Sequence, residues 1–350
     1  MKNMKYISHF ISLAIACMIF CSSCTDSQPE AVVHETHLLF EHGAYPNITY
    51  HDGTYFYIGQ AHDIDVYSAE TIDSLSGAEP VTVFSGDSTG MKNIWAPEMS
   101  RINGKWYIYF EADDGNTDNH QLYVLENPSD NPLEGEWSLH GPIITNEEWN
   151  FGIHPSTFTV GDRQYLLWSG WEHRRAETET QCIFIAEMEN PWTLKSERVL
   201  LSRPEYEWER QWVTPFGARS AYPIFVNENP EGFLAPDGSR VFVTYSASGI
   251  WTPYSIVGML YADASSDLLN PTSWTKMSDP VSPSFDGSDT MVGISNISVI
   301  TSDGDGKTHV LFQGHDLDEL EKYSRIYFKE FDWTEDGMPR FDFPAPGAKD

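Results

Sequence analysis

A histidine and two tyrosines stand directly before prolines in three similar short segments of the chain. Tyr45 lies in "AYPNI", His154 in "GIHPSTF" and Tyr222 in "SAYPIF". An imidazole titrates near neutral pH and can take up or release a proton. A phenol, with an ordinary pKa of about 10, stays neutral and can donate a hydrogen bond. These residue types predict proton transfer, or hydrogen bonding to a polar ligand, at a shared site.

The same kind of segment recurs and predicts the elements that position these residues. With "WAPEM" and "GISNISV" there are five copies, each leading through a turn such as "HDGTY" or "NGKWY" into a strand of alternating bulky residues. Five copies of one sheet unit predict an all-β fold, a five-bladed β-propeller over residues 35–345, whose five strand starts meet around one axial pocket. A sandwich with irregular loops is the structural alternative. The predicted strand starts are Tyr45, Ala96, His154, Tyr222 and Ile294.

The composition favours a ligand other than nucleic acid. The chain has 21 basic and 52 acidic residues and a formal net charge of -31. Phosphate backbones need lysine and arginine to release their counterions, so this charge disfavours nucleic acid as a partner. No phosphate-binding glycine loop and no cysteine pattern for zinc occurs, so we expect no cofactor and no metal. We also expect a monomer.

The N-terminal residues predict export. Lys2 and Lys5 precede the apolar run "FISLAIACMIF", and "CSSC" follows. This pattern resembles a bacterial lipoprotein signal over residues 1–24, with Cys24 as the lipid-bearing residue and residues 25–34 as a tether. It predicts a protein anchored to the bacterial outer membrane, at the cell surface or in the periplasm. Cleavage by an ordinary signal peptidase is the alternative.

Longer segments carry a resemblance to a known family. The segments "KNIWAPEMSRINGKWYIYFEADDGNTDNHQLYVLEN" (92–127), "YLLWSGWE" (165–172) and "EYEWE" (205–209) resemble glycoside hydrolase family 43, in its exo-acting α-L-arabinofuranosidase branch. The resemblance implies a five-bladed propeller acting on glycan side chains. It also implies inversion by two carboxyl groups: a first-blade Asp as base and a fourth-blade Glu as acid, with a third-blade Asp tuning the acid.

The sequence departs from the family at those positions. The first-blade "A-D-P" is Ala44-Tyr45-Pro46, and the third-blade aspartate is replaced by His154. The fourth-blade "N-E-G-P" aligns with residues 219–223, which places Ser220 or Arg219 at the acid. The fifth-blade histidine aligns with Asn296. The resemblance therefore implies a glycoside hydrolase-like protein with a non-standard active site.

The candidate site follows from the residue types and these alignments. The candidates for proton transfer are His154, Tyr45, Tyr222 and Glu98; those for substrate binding are Arg219, Ser220 and Asn296, with Trp95 and Trp171 as platforms for sugar rings.

Three functions stay open from the sequence. The first is a glycosidase whose catalytic groups have moved, with Glu111 and His120 among further residues at the rim. The second is β-elimination on a uronate sugar, in which tyrosine, histidine and Arg219 would abstract the C5 proton and neutralise the carboxylate. The third is a cell-surface glycan-binding protein without turnover. In each case the partner is an oligosaccharide or polysaccharide.

Overall fold

The computed structural model describes residues 34–173, 179–213, 219–285, 291–316 and 324–344. The predicted signal, Cys24 and residues 25–33 of the tether lie outside these ranges. The described chain is built from strands and short 3-10 turns, and none of its helices is long and apolar enough to cross a membrane.

Five four-stranded antiparallel units follow one another along the chain, as predicted for a five-bladed propeller. The first strand, β1 (His37–Phe40), joins the last blade. Blade 1 contains β2 (Asn47–His51), β3 (Thr54–Ile58), β4 (Ile64–Ala69) and β5 (Val81–Phe84); blade 2 contains β6 (Lys92–Ile102), β7 (Lys105–Asp113), β8 (Gln121–Asn127) and β9 (Ser138–Ile143).

The third and fourth blades are longer and are joined to each other. Blade 3 contains β10 (Ile153–Val160), β11 (Arg163–Gly170), β12 (Glu179–Asn190) and β14 (Val199–Ser202), with β13 (Thr193–Leu194) beside β12; blade 4 contains β16 (Arg219–Leu234), β17 (Arg240–Ala247), β18 (Ile256–Asp263) and β19 (Thr275–Lys276), with β15 (Arg210–Val213) beside β16. A parallel pairing of β12 with β16 connects the two blades.

The fifth blade closes the fold with the N-terminal strand. It contains β20 (Met291–Ile300), β21 (His309–Asp316), β22 (Arg325–Glu330) and, outermost, β1. A two-stranded ribbon, β23 (Asp332–Trp333) and β24 (Pro339–Arg340), follows. The 3-10 turns are Asp73–Gly77, Gly86–Ser88, Thr117–Asn119, Glu207–Glu209 and Pro271–Ser273.

The hydrophobic core is divided among the blade junctions. Alternate residues of each sheet point to opposite faces, so every blade has an apolar face for each neighbour. Burying one large apolar side chain stabilises the fold by roughly 1.5–3 kcal/mol. Five of the six clusters of described residues lie one at each junction; examples are Ile58 with Trp106, Val124 with Trp168, Leu167 with Tyr245, Phe242 with Phe312, and Leu311 with Tyr57. The sixth, a small one, contains Phe151, Ile153 and Trp171.

Hydrogen bonds also link each inner strand to the next around the axis. One side chain per blade accepts the backbone N–H of a residue in the following blade, and the fifth returns to the first. We call these acceptors the floor ring: Asn47 accepts from Met99, Glu98 from Thr157, Ser156 from Gly232, Glu231 from Val299, and Ser298 from Ile48, over 2.9–3.4 Å.

Candidate functional site

The inner strands of the blades share an unusual backbone position near their starts. The non-glycine residue two positions before each floor-ring acceptor has a left-handed conformation, with φ between 41° and 52°. Such values are uncommon outside glycine and asparagine, so five matching cases mark five equivalent positions. These residues are Tyr45, Ala96, His154, Asn229 and Asn296.

The predicted start of the fourth inner strand is therefore wrong. Tyr222 lies seven residues before Asn229 (229 − 222 = 7), in the part of β16 that pairs with β15. Pairing of β16 with β17 begins only at Asn227. In the fifth blade the equivalent residue is Asn296, two positions after the predicted Ile294.

A regular spacing in the sequence could have identified Asn229. Each of the first three equivalent residues lies seven or eight positions before the glycine of its hairpin turn, for example Tyr45 before Gly53 (53 − 45 = 8). Asn229 lies nine positions before Gly238, whereas Tyr222 lies sixteen before it (238 − 222 = 16). The segment "AYP" at residues 221–223 repeats residues 44–46 but does not occupy the equivalent position in its blade.

The corrected register changes the assignment of the fourth-blade acid. The pattern N-E-G-P of the family that the sequence resembles now matches Asn227-Glu228-Asn229-Pro230, with asparagine at the glycine position. This register favours Glu228 over Ser220 or Arg219 at the position of the acid. The side chains of Arg219, Ser220 and Tyr222 lie outside the described part of the structure, so their predicted contacts with substrate stay predictions.

The axial cup, which we define as Tyr45, Glu111, His154 and Glu228, brings two carboxyl groups to one imidazole. Glu228 Oε2 lies 3.8 Å from Nδ1 of His154, and Glu111 Oε1 lies 3.9 Å from Nε2. The other oxygen of each carboxyl accepts a backbone N–H: Glu228 from Ile250 at 3.1 Å, and Glu111 from His154 at 3.0 Å. The imidazole therefore lies between two fixed carboxyl groups.

Burial sets the protonation of these groups. Burial raises the pKa of Glu111 to about 8, although the N–H of His154 opposes the shift. Burial also lowers the pKa of His154 to about 3, and the nearby His120 lowers it further. At neutral pH His154 is a neutral imidazole and Glu111 holds its proton.

Tyr45 covers this group from the side of the first blade. Its ring centre lies 5.1 Å from that of His154, and its N–H reaches Oε1 of Gln313 at 3.3 Å. Burial, followed by the charges of Glu228 and Glu111, raises the pKa of its phenol well above the usual value. Tyr45 thus contributes a neutral hydroxyl beside both carboxyl groups.

Two of the predicted residues have structural roles. Glu98 belongs to the floor ring, where it accepts the N–H of Thr157 at 2.9 Å, and it lines a small cavity together with Tyr45. Asn296 is fully buried. Its Nδ2 donates to Gln313 at 2.8 Å and its Oδ1 accepts from Ser246 at 3.2 Å. Both side chains hold neighbouring blades together.

A cavity of about 740 Å³ is lined by Trp95, Trp251 and His315, among others, and by Ala44, which precedes Tyr45 in the chain. Trp95 is half-buried, and its ring centre lies 4.6 Å from that of His120. Trp251 is 48% exposed and belongs to the loop whose Ile250 holds Glu228. These two indoles can stack on sugar rings.

The other predicted platform is packed inside the protein. Trp171 is 4% exposed and stacks on Phe151, with ring centres 3.7 Å apart. It is also one of the residues that line a second cavity of about 590 Å³. Among the described residues, no three His, Cys, Asp or Glu side chains come together as ligands for a metal ion.

Comparisons with known proteins agree with this fold. The model of the family described as Glycosyl hydrolases family 43 matches residues 40–339. The extracellular exo-alpha-(1->5)-L-arabinofuranosidase of Streptomyces avermitilis is 34% identical over 89% of this chain and 63% of its own length. Alpha-L-arabinofuranosidase B of Pyricularia oryzae is 30% identical over 99% of this chain and 72% of its own length.

A solved structure is similar over the whole described fold. The alpha-L-arabinofuranosidase from Lactobacillus brevis has a TM-score of 0.74 and is 30% identical, covering 88% of this chain and 96% of its own. A thermostable family-43 glycoside hydrolase at 20% identity has a TM-score of 0.68 and supports the fold. The chain spans just under two thirds of the Streptomyces relative.

Proposed function

Because the chain belongs to glycosyl hydrolases family 43, we propose that it hydrolyses terminal α-L-arabinofuranosyl linkages on glycan side chains, with Glu228 as the proton donor. Relatives at 30–35% identity include exo-acting arabinofuranosidases. A cavity with two indoles at its rim suits a single sugar ring at the end of a chain.

The position of Glu228 is the observation that carries this proposal. It occupies the glutamate position of the N-E-G-P pattern, and it is 2% exposed. One oxygen accepts the N–H of Ile250, and the other lies 3.8 Å from Nδ1 of His154 in the cup. A buried carboxyl group held in one orientation is suited to give its proton to a leaving oxygen.

The mechanism we propose differs from that of the family in its base. Tyr45 and His154 occupy the positions of the first-blade and third-blade aspartates, and both are neutral at neutral pH. A phenol with a raised pKa cannot take a proton from water near pH 7. A group other than the phenol of Tyr45 must therefore activate the water.

Glycan binding without turnover is the second candidate. The loss of both aspartates favours it, since the cavity and its indoles would bind a sugar whether or not it is cleaved. Elimination on a uronate has less support: Tyr222, one of its proposed groups, lies seven residues from the start of the fourth inner strand.

The cellular location is also a proposal. The sequence of residues 1–24 predicts lipidation at Cys24, and two similar enzymes are named as extracellular. We propose a monomer anchored to the outer membrane by its lipid, with its glycan as partner.

The test incubates the purified protein with arabino-oligosaccharides and with uronate oligosaccharides. New reducing ends without the ultraviolet absorbance of an unsaturated uronate indicate hydrolysis, and release of single arabinose units indicates exo action. Appearance of that absorbance would establish elimination instead. Binding measured by calorimetry, with neither product, would support the glycan-binding function and refute the proposed one.

A further inference from the structure

The cavity of about 740 Å³ differs in charge from the chain as a whole. The chain has 52 acidic and 21 basic residues, yet the described residues that line this cavity include no aspartate and no glutamate. They include Lys92 and the histidines His42, His62 and His315. Carboxylates accept the protons of sugar hydroxyls more strongly than neutral side chains do. The described lining lacks this kind of acceptor and instead presents a cation.

Lys92 is that cation, and its ammonium group has no partner in the described part of the chain. Every other lysine or arginine side chain that the structure describes makes an ion pair or a hydrogen bond. In the same blade, for example, Lys105 pairs with Glu126 at 3.0 Å. The buried Lys329 donates to the carbonyl oxygen of Asp342. The lysine without a protein acceptor is thus the one that lines the cavity.

A bulge in β6 brings Lys92 to the same cavity as Trp95. Side chains three positions apart in a regular strand point to opposite faces. Lys92 pairs with Asp113 on β7, whereas Trp95 pairs with Glu111, only two positions away. The extra residue lies between them, where Asn93 has a left-handed φ of 48°. The bulge therefore restores Lys92 and Trp95 to one face, and both line the cavity.

The carboxylate that faces Lys92 across the strands is occupied by other donors. Asp113 accepts two bonds from Nδ2 of Asn93, at 2.9 and 3.0 Å, and one from the N–H of Gly115 at 2.7 Å. Its Oδ2 also lies 3.1 Å from Nδ1 of His120. Among the described contacts, no ion pair joins Asp113 to Lys92. The charge of Lys92 is therefore available to a ligand.

Two of the three histidines of the lining face protein groups instead. Nε2 of His315 donates to the carbonyl oxygen of Ile250 at 3.2 Å, and burial lowers the pKa of the ring, so His315 is neutral at neutral pH. Nε2 of His62 lies 3.8 Å from Oδ2 of Asp87. The positive charge that this cavity offers to a ligand thus comes from Lys92.

We propose that the cavity binds a glycan that carries an anionic group, a uronate carboxylate or a sulfate ester, and that Lys92 pairs with this group while a neighbouring sugar ring stacks on Trp95 or Trp251. The inference rests on the proposed function in taking a glycan as the ligand, but it does not require cleavage. The net charge of -31 repels an anion at a distance, so such a ligand needs a local cation. The anionic group is recognised and takes no part in bond breaking.

The first test compares three forms of one arabinosylated oligosaccharide by calorimetry on the wild type. One form carries a uronate, the second has that carboxyl group reduced to an alcohol, and the third carries a sulfate ester on the reduced sugar. We expect Kd to be about fivefold lower for an anionic form than for the reduced form, as for one partly exposed charge pair. The anionic form with the lower Kd identifies the source of the charge. Equal Kd values for the three forms would overturn the inference.

The second test changes the lysine. Lys92→Met removes the charge and keeps an unbranched side chain, so the Kd of the anionic forms should rise to that of the reduced form, whose own Kd should stay constant. Lys92→Arg keeps the charge and should keep the preference. Lys105→Met, which removes a lysine of the same blade outside the cavity lining, is the matched control and should also keep it. An undiminished preference in Lys92→Met would refute the role of Lys92.

Turnover separates this inference from the proposed function. Because Lys92 acts in binding, Lys92→Met should raise KM for the anionic forms and leave kcat nearly unchanged. If the wild type prefers the anionic forms and cleaves none of the three, the proposed hydrolysis fails and the inference stands. If it releases arabinose from all three with equal Kd and equal KM, the inference fails and the proposed hydrolysis stands.

Discussion

The floor ring and the axial cup each contain two buried glutamates, but they use them differently. In the floor ring, Glu98 and Glu231 each accept an N–H of the next blade, at positions where the other blades have asparagine or serine. In the cup, Glu111 and Glu228 also accept an N–H, yet each directs its second oxygen at the same imidazole. A buried carboxyl group thus links two blades in the floor ring, whereas in the axial cup it is a candidate for proton transfer.

The difference lies in the neighbouring group rather than in the burial. Burial raises the pKa of Glu98, and the charge of Glu231 raises it further, so this pair prefers to hold protons. No basic group stands between them in the floor ring. In the cup, a histidine separates the two carboxyl groups and offers a route for a proton. A raised pKa alone therefore does not identify the active site of this protein.

The largest expected effect tests the cup. Glu228→Gln keeps the size and an acceptor for the N–H of Ile250 but removes the proton to be donated. We expect kcat on arabino-oligosaccharides to fall roughly 10²–10⁴-fold, with sugar binding retained. Steady-state kinetics and calorimetry measure the two quantities. Undiminished turnover in this variant would show that Glu228 is not the acid. The cup and the floor ring would then not differ in function in the way described above.

An intermediate effect tests the floor ring through stability. Burial raises the pKa of Glu231 to about 8, so the folded state holds a proton that the unfolded state releases above its lower pKa. This contribution is complete at acidic pH and is lost as the pH rises towards 8. Each unit of pKa difference corresponds to about 1.4 kcal/mol. Glu231→Gln should have a flatter dependence of Tm on pH between 5 and 8, as determined by thermal unfolding.

If Tm depended on pH in the same way in Glu231→Gln and the wild type between pH 5 and 8, Glu231 would not hold a proton in the folded state. Its kcat should match that of the wild type, since the residue lies outside the cup.

The smallest expected effect concerns the cavity that Trp95 and Trp251 line. Trp251 is 48% exposed, so Trp251→Ala removes little packing but removes a surface on which a sugar ring can stack. We expect KM to rise about 5–10-fold at nearly constant kcat, consistent with roughly 1 kcal/mol for one aromatic contact. Trp212→Ala, an equally exposed tryptophan outside the cavity lining, is the control. Equal KM values for the two variants would remove Trp251 from the binding surface.

Local patterns in the sequence determined the fold and the family of this protein. Alternating strands, hairpin turns and the repeated strand starts predicted an all-β, five-bladed propeller, and the long segments around Trp95 and Trp171 predicted family 43; both predictions are confirmed. The sequence also identified Tyr45 and His154 as residues of the axial positions. Such features depend on neighbours along the chain, which a sequence displays directly.

Only the tertiary structure decided which residues meet at the axis. A shift of register moves every side chain of a strand, so the word "AYP" at Tyr222 concealed Glu228 and Asn229. Nor could the sequence separate Glu98, which joins two blades, from Glu111, whose second oxygen faces His154. Those roles depend on contacts between residues more than 40 positions apart, and strand pairing and blade closure determine such contacts.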